Sequence, residues 1–124
     1  MLSVCESKGI ESELLPKIAS GLCGRMANTS DICGAVGGAI LALGLFFGRD
    51  KPKQSQKPIF SAVQRLKSEF EKEFGSSNCQ QLTGCELGTK EGLKHFKKND
   101  GMKTCRKYTE EATKITMKII EGIT

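Results

Sequence analysis

The sequence predicts an all-α fold, a single-domain helical bundle around a central apolar helix that is rich in glycine and alanine. Residues 32–48 carry no charge, two later segments have apolar residues at helical spacing, and no segment alternates with the period of a strand. The 124 residues are enough for one domain, at about 100–200 residues per domain, so we expect residues 1–124 to form a single domain. The composition, with 38% hydrophobic and 27% charged residues, excludes collagen-like, low-complexity and disordered chains.

A short helix is predicted before the uncharged segment. Ser12 can cap it, and Pro16 falls in its first turn, where backbone N–H groups have no partner within the helix. Leu14, Leu15 and Ile18 form its apolar side. We therefore expect these three side chains to face the bundle.

The uncharged segment is predicted to be the central helix of the bundle. It has 17 residues, from Ile32 to Gly48, whereas a membrane span needs about 20. Glycines four residues apart, such as Gly34 and Gly38, let another backbone approach closely. A helix that is apolar on all sides is typical of a buried position, so we expect a core helix and no membrane span.

An amphipathic helix is predicted after a polar linker at residues 51–58. Gly75 ends this helix. Its apolar residues recur at steps of four, three, four and four, which keeps them on one helix face. They are Ile59, Val63, Leu66, Phe70 and Phe74.

The C-terminal part of the chain predicts the remaining helices. Ser77 and Gln80 fit a capping box for a short helical turn, and a short helix is expected at 91–97 within a connecting segment rich in glycine and lysine. The last helix is predicted to begin at about Thr104 and completes the bundle. Its apolar face consists of Tyr108, Ala112, Ile115 and Ile119.

Six cysteines are the feature that bears most on function. No secretory signal pattern opens the sequence, so we expect a cytoplasmic protein, in which thiols stay reduced. Cysteines in such a protein indicate metal ligands or redox groups, although each could also be a small buried apolar residue. The six are Cys5, Cys23, Cys33, Cys79, Cys85 and Cys105.

Three of these thiols fall at predicted helix N-termini, namely Cys33, Cys79 and Cys105. Unpaired N–H groups and the positive end of the helix dipole stabilise a thiolate there, and the thiolate is both nucleophile and metal ligand. We predict these three as the redox or metal-binding residues, with Cys23 and Cys85 as additional candidates. Soft thiolate ligands suit an iron–sulfur cluster, zinc or Cu(I).

Several familiar motifs are missing from the sequence. No C-x-x-C pair indicates a thioredoxin-like protein, and no ferredoxin-type cysteine run is present. The one histidine, His95, stands among lysines and has no zinc-finger partner. No general base is recognisable, so the sequence assigns neither a catalytic residue nor a reaction.

Four segments together resemble a known family. Residues 20–26 (SGLCGRM) and 32–40 (ICGAVGGAI) are followed by 74–84 (FGSSNCQQLTG) and by Thr104-Cys105. The arrangement resembles, over nearly the whole chain, a redox-active family named for its C_GCAxxG_C_C cysteine pattern. The resemblance implies a helical protein that is redox-active or binds metal through the shared cysteines. It also implies electron transfer, because similar domains are associated with electron-transfer proteins of anaerobes, some with iron–sulfur and haem centres.

The resemblance also assigns positions. Cys33 matches the cysteine of the glycine-rich motif, and Cys79 and Cys105 match the two trailing cysteines. Members of the family carry a further cysteine on a first helix, shortly before the position that matches Met1. We expect either that this sequence begins within that helix or that Cys5 or Cys23 takes the missing place. A site of three thiolates would otherwise have one open position.

The net charge of +5 comes largely from seven basic residues between positions 90 and 107. A solvated lysine face is the simplest explanation of this cluster, and if the patch has a role, it can dock an acidic redox partner. Nucleic-acid binding is not expected, because aromatic residues are few among the lysines and no known nucleic-acid motif is present. The small-residue helix is also compatible with a homodimer. The seven are Lys90, Lys94, Lys97, Lys98, Lys103, Arg106 and Lys107.

Three hypotheses of function follow from the sequence. The first is a redox protein whose cysteines hold an iron–sulfur cluster or another thiolate-bound metal. The second is a metal-free protein in which two cysteines cycle between dithiol and disulfide. The third is a helical interaction module whose cysteines only pack.

Overall fold

Helices form all the regular elements in the part of the chain that the computed structural model describes, which is residues 1–22, 26–27, 31–85 and 88–122. The predicted all-α fold is therefore confirmed. In chain order the elements are α1 (Leu2–Ser7), α2 (Leu14–Ala19), a 3-10 turn (Ser20–Leu22), α3 (Gly34–Phe47), α4 (Lys57–Phe74), α5 (Cys79–Thr83), α6 (Lys90–Lys98) and α7 (Gly101–Ile120).

The core lies where α3, α4 and α7 pack against one another. Val36 and Leu43 of α3 are fully buried, as are Leu66 and Phe70 of α4, and Ile115 of α7 is nearly so. The helix rich in glycine and alanine is thus the central one, as predicted. Across the described residues, no helix combines the length and hydropathy that crossing a bilayer requires.

The end of α4 agrees with the sequence prediction, whereas the start of α7 does not. α4 ends at Gly75, as predicted, and the glycine has a left-handed φ of 84°, which residues without a Cβ adopt at little cost. α7, however, begins at Gly101 and not near Thr104. The Phe96 ring lies against Gly101 where a Cβ would collide, so a larger residue at this helix start would require the ring to move. Cys105 consequently lies one turn inside α7, and its predicted place at the N-terminus is wrong.

The short helix α2 is present, but its predicted apolar side is only partly buried. Leu15 is buried, whereas Leu14 and Ile18 are 62% and 56% exposed. The 3-10 turn that follows α2 contacts the core more closely than α2 does. Its Leu22 side chain lies 3.1 Å from where a Cβ of Gly37 would stand. A glycine on α3 therefore accommodates the close approach of this N-terminal segment.

Candidate functional site

A cavity of about 660 Å³, open to solvent on one side, is lined mainly by residues of α1, α3, α5 and α7. Cys33, Cys79 and Cys105 all line it. The fold thus brings to one cavity the three cysteines that the sequence singled out, although they stand far apart along the chain. We call this space the thiol cavity.

An isolated antiparallel bridge joins the segments that carry Cys33 and Cys79. Ile32 pairs with Asn78. The Cys33 N–H donates to the Ser77 carbonyl at 2.8 Å, and the Cys79 N–H donates to the Asp31 carbonyl at 2.7 Å. Cys33 and Cys79 directly follow the two paired residues along the chain, and both line the thiol cavity. Cys33 stands across from Ser77, which makes Cys79 its diagonal neighbour, typically at a Cα separation of about 7–8 Å.

Cys33 and Cys79 both stand where a helix begins. Cys33 is the extended residue directly before α3, with φ −58° and ψ 130°, and Cys79 is the first residue of α5. The cap of α5 differs from the prediction, because the Asn78 side-chain oxygen accepts a backbone N–H of the helix at 3.1 Å. The Ser77 hydroxyl instead donates to the Glu71 carboxylate at 2.8 Å and ties this segment to α4.

Tyr108 lines the thiol cavity together with the three cysteines. It lies on α7 one turn after Cys105, and its hydroxyl donates to the Leu82 carbonyl at 3.1 Å. Burial raises the pKa of the Tyr108 hydroxyl, and negative charge on Cys105, Cys33 and Cys79 raises it further. This hydroxyl is therefore near enough to all three thiols to respond to their ionisation. From the sequence, Tyr108 was predicted only as part of a helix face.

Replacing Tyr108 by phenylalanine is expected to lower the free energy of unfolding by about 1 kcal/mol, because the Leu82 carbonyl loses its donor. The difference should shrink as the pH rises above about 10, the pKa of an unfolded tyrosine. Between that pKa and the higher folded one, the unfolded state loses a proton that the native state keeps, so wild-type stability falls. Urea unfolding of both proteins between pH 7 and pH 11 measures this. A difference that does not change with pH would contradict the raised pKa.

Cys85, an additional candidate, does not line the thiol cavity. It is buried in a small apolar cluster with Cys79 and Phe96, against which Cys105 also packs. The Cys85 thiol donates to the Thr83 carbonyl at 3.4 Å. Cys85 is thus a neighbour of the site on the side away from the cavity, and its assignment as a functional residue stays a prediction.

Of the two remaining cysteines, the structure describes only Cys5. Cys5 is 1% exposed within α1 and does not line the thiol cavity. Cys23 lies outside the described residues. The seven basic residues between positions 90 and 107 are all exposed. This exposure is compatible with the predicted acidic partner protein, which stays a prediction.

The cysteines suit a thiophilic metal in their chemistry but not in their spacing. Three thiolates are a ligand set for an iron–sulfur cluster, zinc or Cu(I). In the described part of the chain, however, no three histidine, cysteine, aspartate or glutamate side chains come close enough together to hold a metal ion. The three thiols therefore surround a cavity and would have to move inward to share a metal.

Comparison with known proteins identifies a family. A family model described as "Putative redox-active protein (C_GCAxxG_C_C)" matches residues 1–119. No curated protein and no solved structure matches the chain. The match covers all three cysteines of the thiol cavity.

Proposed function

This chain belongs to the C_GCAxxG_C_C family of redox-active proteins, and from that premise we propose that Cys33 and Cys79 cycle between dithiol and disulfide in electron transfer. The observation that carries the proposal is the bridge between Ile32 and Asn78, which joins the two segments that bear these cysteines. Both cysteines also line the thiol cavity, and a disulfide forms when the thiolate of one attacks a sulfur bonded to the other.

The expected spacing of the two cysteines is close to what a disulfide requires. Diagonal neighbours across an antiparallel pair stand at a Cα separation of about 7–8 Å, and disulfides span Cα separations of about 4.4–6.8 Å. A small inward shift at the start of α5 would close this gap. α5 has only five residues, Cys79–Thr83, so such a shift disturbs few contacts of the core.

The chemical step is balanced with any disulfide as oxidant. One thiolate, most simply that of Cys33 at the beginning of α3, attacks the oxidant's disulfide, forms a mixed disulfide and releases one thiol of the oxidant. The thiolate of Cys79 then attacks the Cys33 sulfur of the mixed disulfide and releases the oxidant's second thiol. Two S–H bonds are lost, one S–S bond forms, and the oxidant gains two electrons and two protons. Cys105 lines the same cavity but is not a member of the proposed pair.

A second candidate function is a thiolate-bound metal or an iron–sulfur cluster held by Cys33, Cys79 and Cys105. The observation that favours it is that three thiols from three helices line one cavity. Such a group would supply one-electron redox chemistry or structural cross-linking. Anaerobic purification, metal analysis and an optical spectrum test it, because bound metal and absorbance that are lost in Cys79→Ser would support this candidate over the metal-free one.

The metal-free proposal is tested by equilibrating reduced, metal-free protein with oxidised dithiothreitol and measuring the intact mass. We expect the mass to fall by two hydrogens, two fewer thiols to react with an alkylating agent, and reduced dithiothreitol to reverse both changes. A mass that stays unchanged at every ratio of oxidised to reduced reagent would refute the proposal.

A further inference from the structure

The wall of the thiol cavity carries no charged side chain among the described residues. Besides the three cysteines, it consists mostly of apolar groups, among them Leu22, Ala39, Leu82 and Met102. Transferring a charged group from water to such surroundings without a partner is costly. The cavity therefore favours an occupant without formal charge.

The hydroxyl groups on the wall are largely occupied by the protein's own backbone. Each of the four threonines donates to the carbonyl four residues earlier, at 2.7–3.2 Å, and Tyr108 donates to Leu82. These threonine and tyrosine side chains consequently present methyl groups, ring edges and acceptor lone pairs to the cavity. They present no hydrogen-bond donors to it. The threonines are Thr83, Thr109, Thr113 and Thr116.

Met1 of the N-terminal segment also lines this wall, and its side chain is apolar. An ionic occupant thus finds little complementary charge on the described wall. An apolar occupant finds about 660 Å³ of space, in the range of pockets for organic ligands.

We propose that the thiol cavity binds an uncharged, largely apolar quinone that accepts the electrons of the Cys33–Cys79 pair, an inference that rests on the proposed function. The two S–H bonds break and an S–S bond forms. Two electrons and two protons pass to the two quinone oxygens, which become the hydroxyls of a hydroquinone. Every stable species in this reaction is uncharged, which matches a wall without charged side chains.

A matched pair of variants on α3 tests the proposal. A Cβ added at Gly38 would make only ordinary contacts, the nearest at 3.5 Å to the Met1 nitrogen, so Gly38→Leu extends into the cavity. Gly44→Leu is the control, because Gly44 is exposed and has nothing within 4 Å of an added Cβ. Both changes replace glycine by a better helix former, and they differ in whether they fill the cavity.

The probe is duroquinone, whose fully substituted ring resists addition of thiols. Tyr108 is the one tyrosine and the chain has no tryptophan, so its fluorescence reports on the cavity. We expect saturable quenching in wild type and Gly44→Leu, and an apparent Kd about tenfold or more weaker in Gly38→Leu, a change of about 1.4 kcal/mol. Disulfide formation driven by duroquinone should slow by a similar factor. Ala35→Leu, on the same wall, replaces Gly38→Leu if circular dichroism shows that the latter is unfolded.

The outcomes separate this inference from the proposed function. Quenching no stronger than that of free N-acetyltyrosinamide, or equal in Gly38→Leu and Gly44→Leu, would overturn the quinone site. If oxidised dithiothreitol still forms the disulfide in wild type, the proposed function stands without the quinone. If neither reagent oxidises the thiols, the proposed function itself fails.

Discussion

Replacing Cys79 by serine is expected to abolish the reversible loss of two hydrogens in oxidised dithiothreitol. The bridge between Ile32 and Asn78 sets Cys79 diagonally across from Cys33, so the variant leaves Cys33 without the partner that the backbone provides. Intact mass after equilibration in dithiothreitol buffers measures the effect. Cys33→Ser should have the same result, because either change removes half of the pair.

Cys85→Ser is the matched control for this prediction. Cys85 is also buried, lies in the same small cluster as Cys79, and is outside the wall of the thiol cavity. It should destabilise the local packing to a similar degree but retain the oxidation. If Cys79→Ser still loses two hydrogens, the disulfide forms between other thiols and the assigned pair is wrong.

Replacing Phe70 by alanine is expected to have the largest effect on stability, a loss of about 3–5 kcal/mol. Phe70 is fully buried where α4 meets α3 and α7, and its ring contacts those of Phe74 and Tyr108 at centroid distances of 4.9 and 6.1 Å. Domains are typically stable by about 5–15 kcal/mol, so the variant should lose a large fraction of its free energy of unfolding. Urea denaturation followed by circular dichroism measures it.

Phe60→Ala provides the control on the same helix. Phe60 is 54% exposed, so the same change there should cost within about 0.5 kcal/mol. Comparable losses at the two positions would contradict the assignment of the core to the α3–α4–α7 interface. A loss below about 1 kcal/mol at Phe70 would contradict it as well, because such a value is far below that of a buried ring.

The helices were predictable from the sequence where the signal is local and repeated. The face of α4 that contains Leu66 and Phe70, its end at Gly75 and the apolar character of α3 follow from periodicity and composition. The start of α7 was not predictable in this way. Gly101 lies there against the Phe96 ring, a contact between two helices that periodicity does not specify.

The site was predictable in its residues but not in its geometry. Helix starts and the family resemblance pointed to Cys33, Cys79 and Cys105, although Cys105 proved to lie inside α7. The bridge between Ile32 and Asn78 joins segments that are distant in sequence, and neither segment shows a strand pattern. The role of Tyr108 beside the thiols likewise depends on how α7 packs against α5, which periodicity does not specify.

The most direct test of the central claim is a peptide map of the oxidised protein, digested and analysed without reduction. We expect one cross-linked species that joins the peptide of Cys33 to that of Cys79, and its disappearance after treatment with dithiothreitol. A cross-link from Cys33 to Cys105, a cross-link from Cys79 to Cys85, or none at all would contradict a redox pair built on the Ile32–Asn78 bridge.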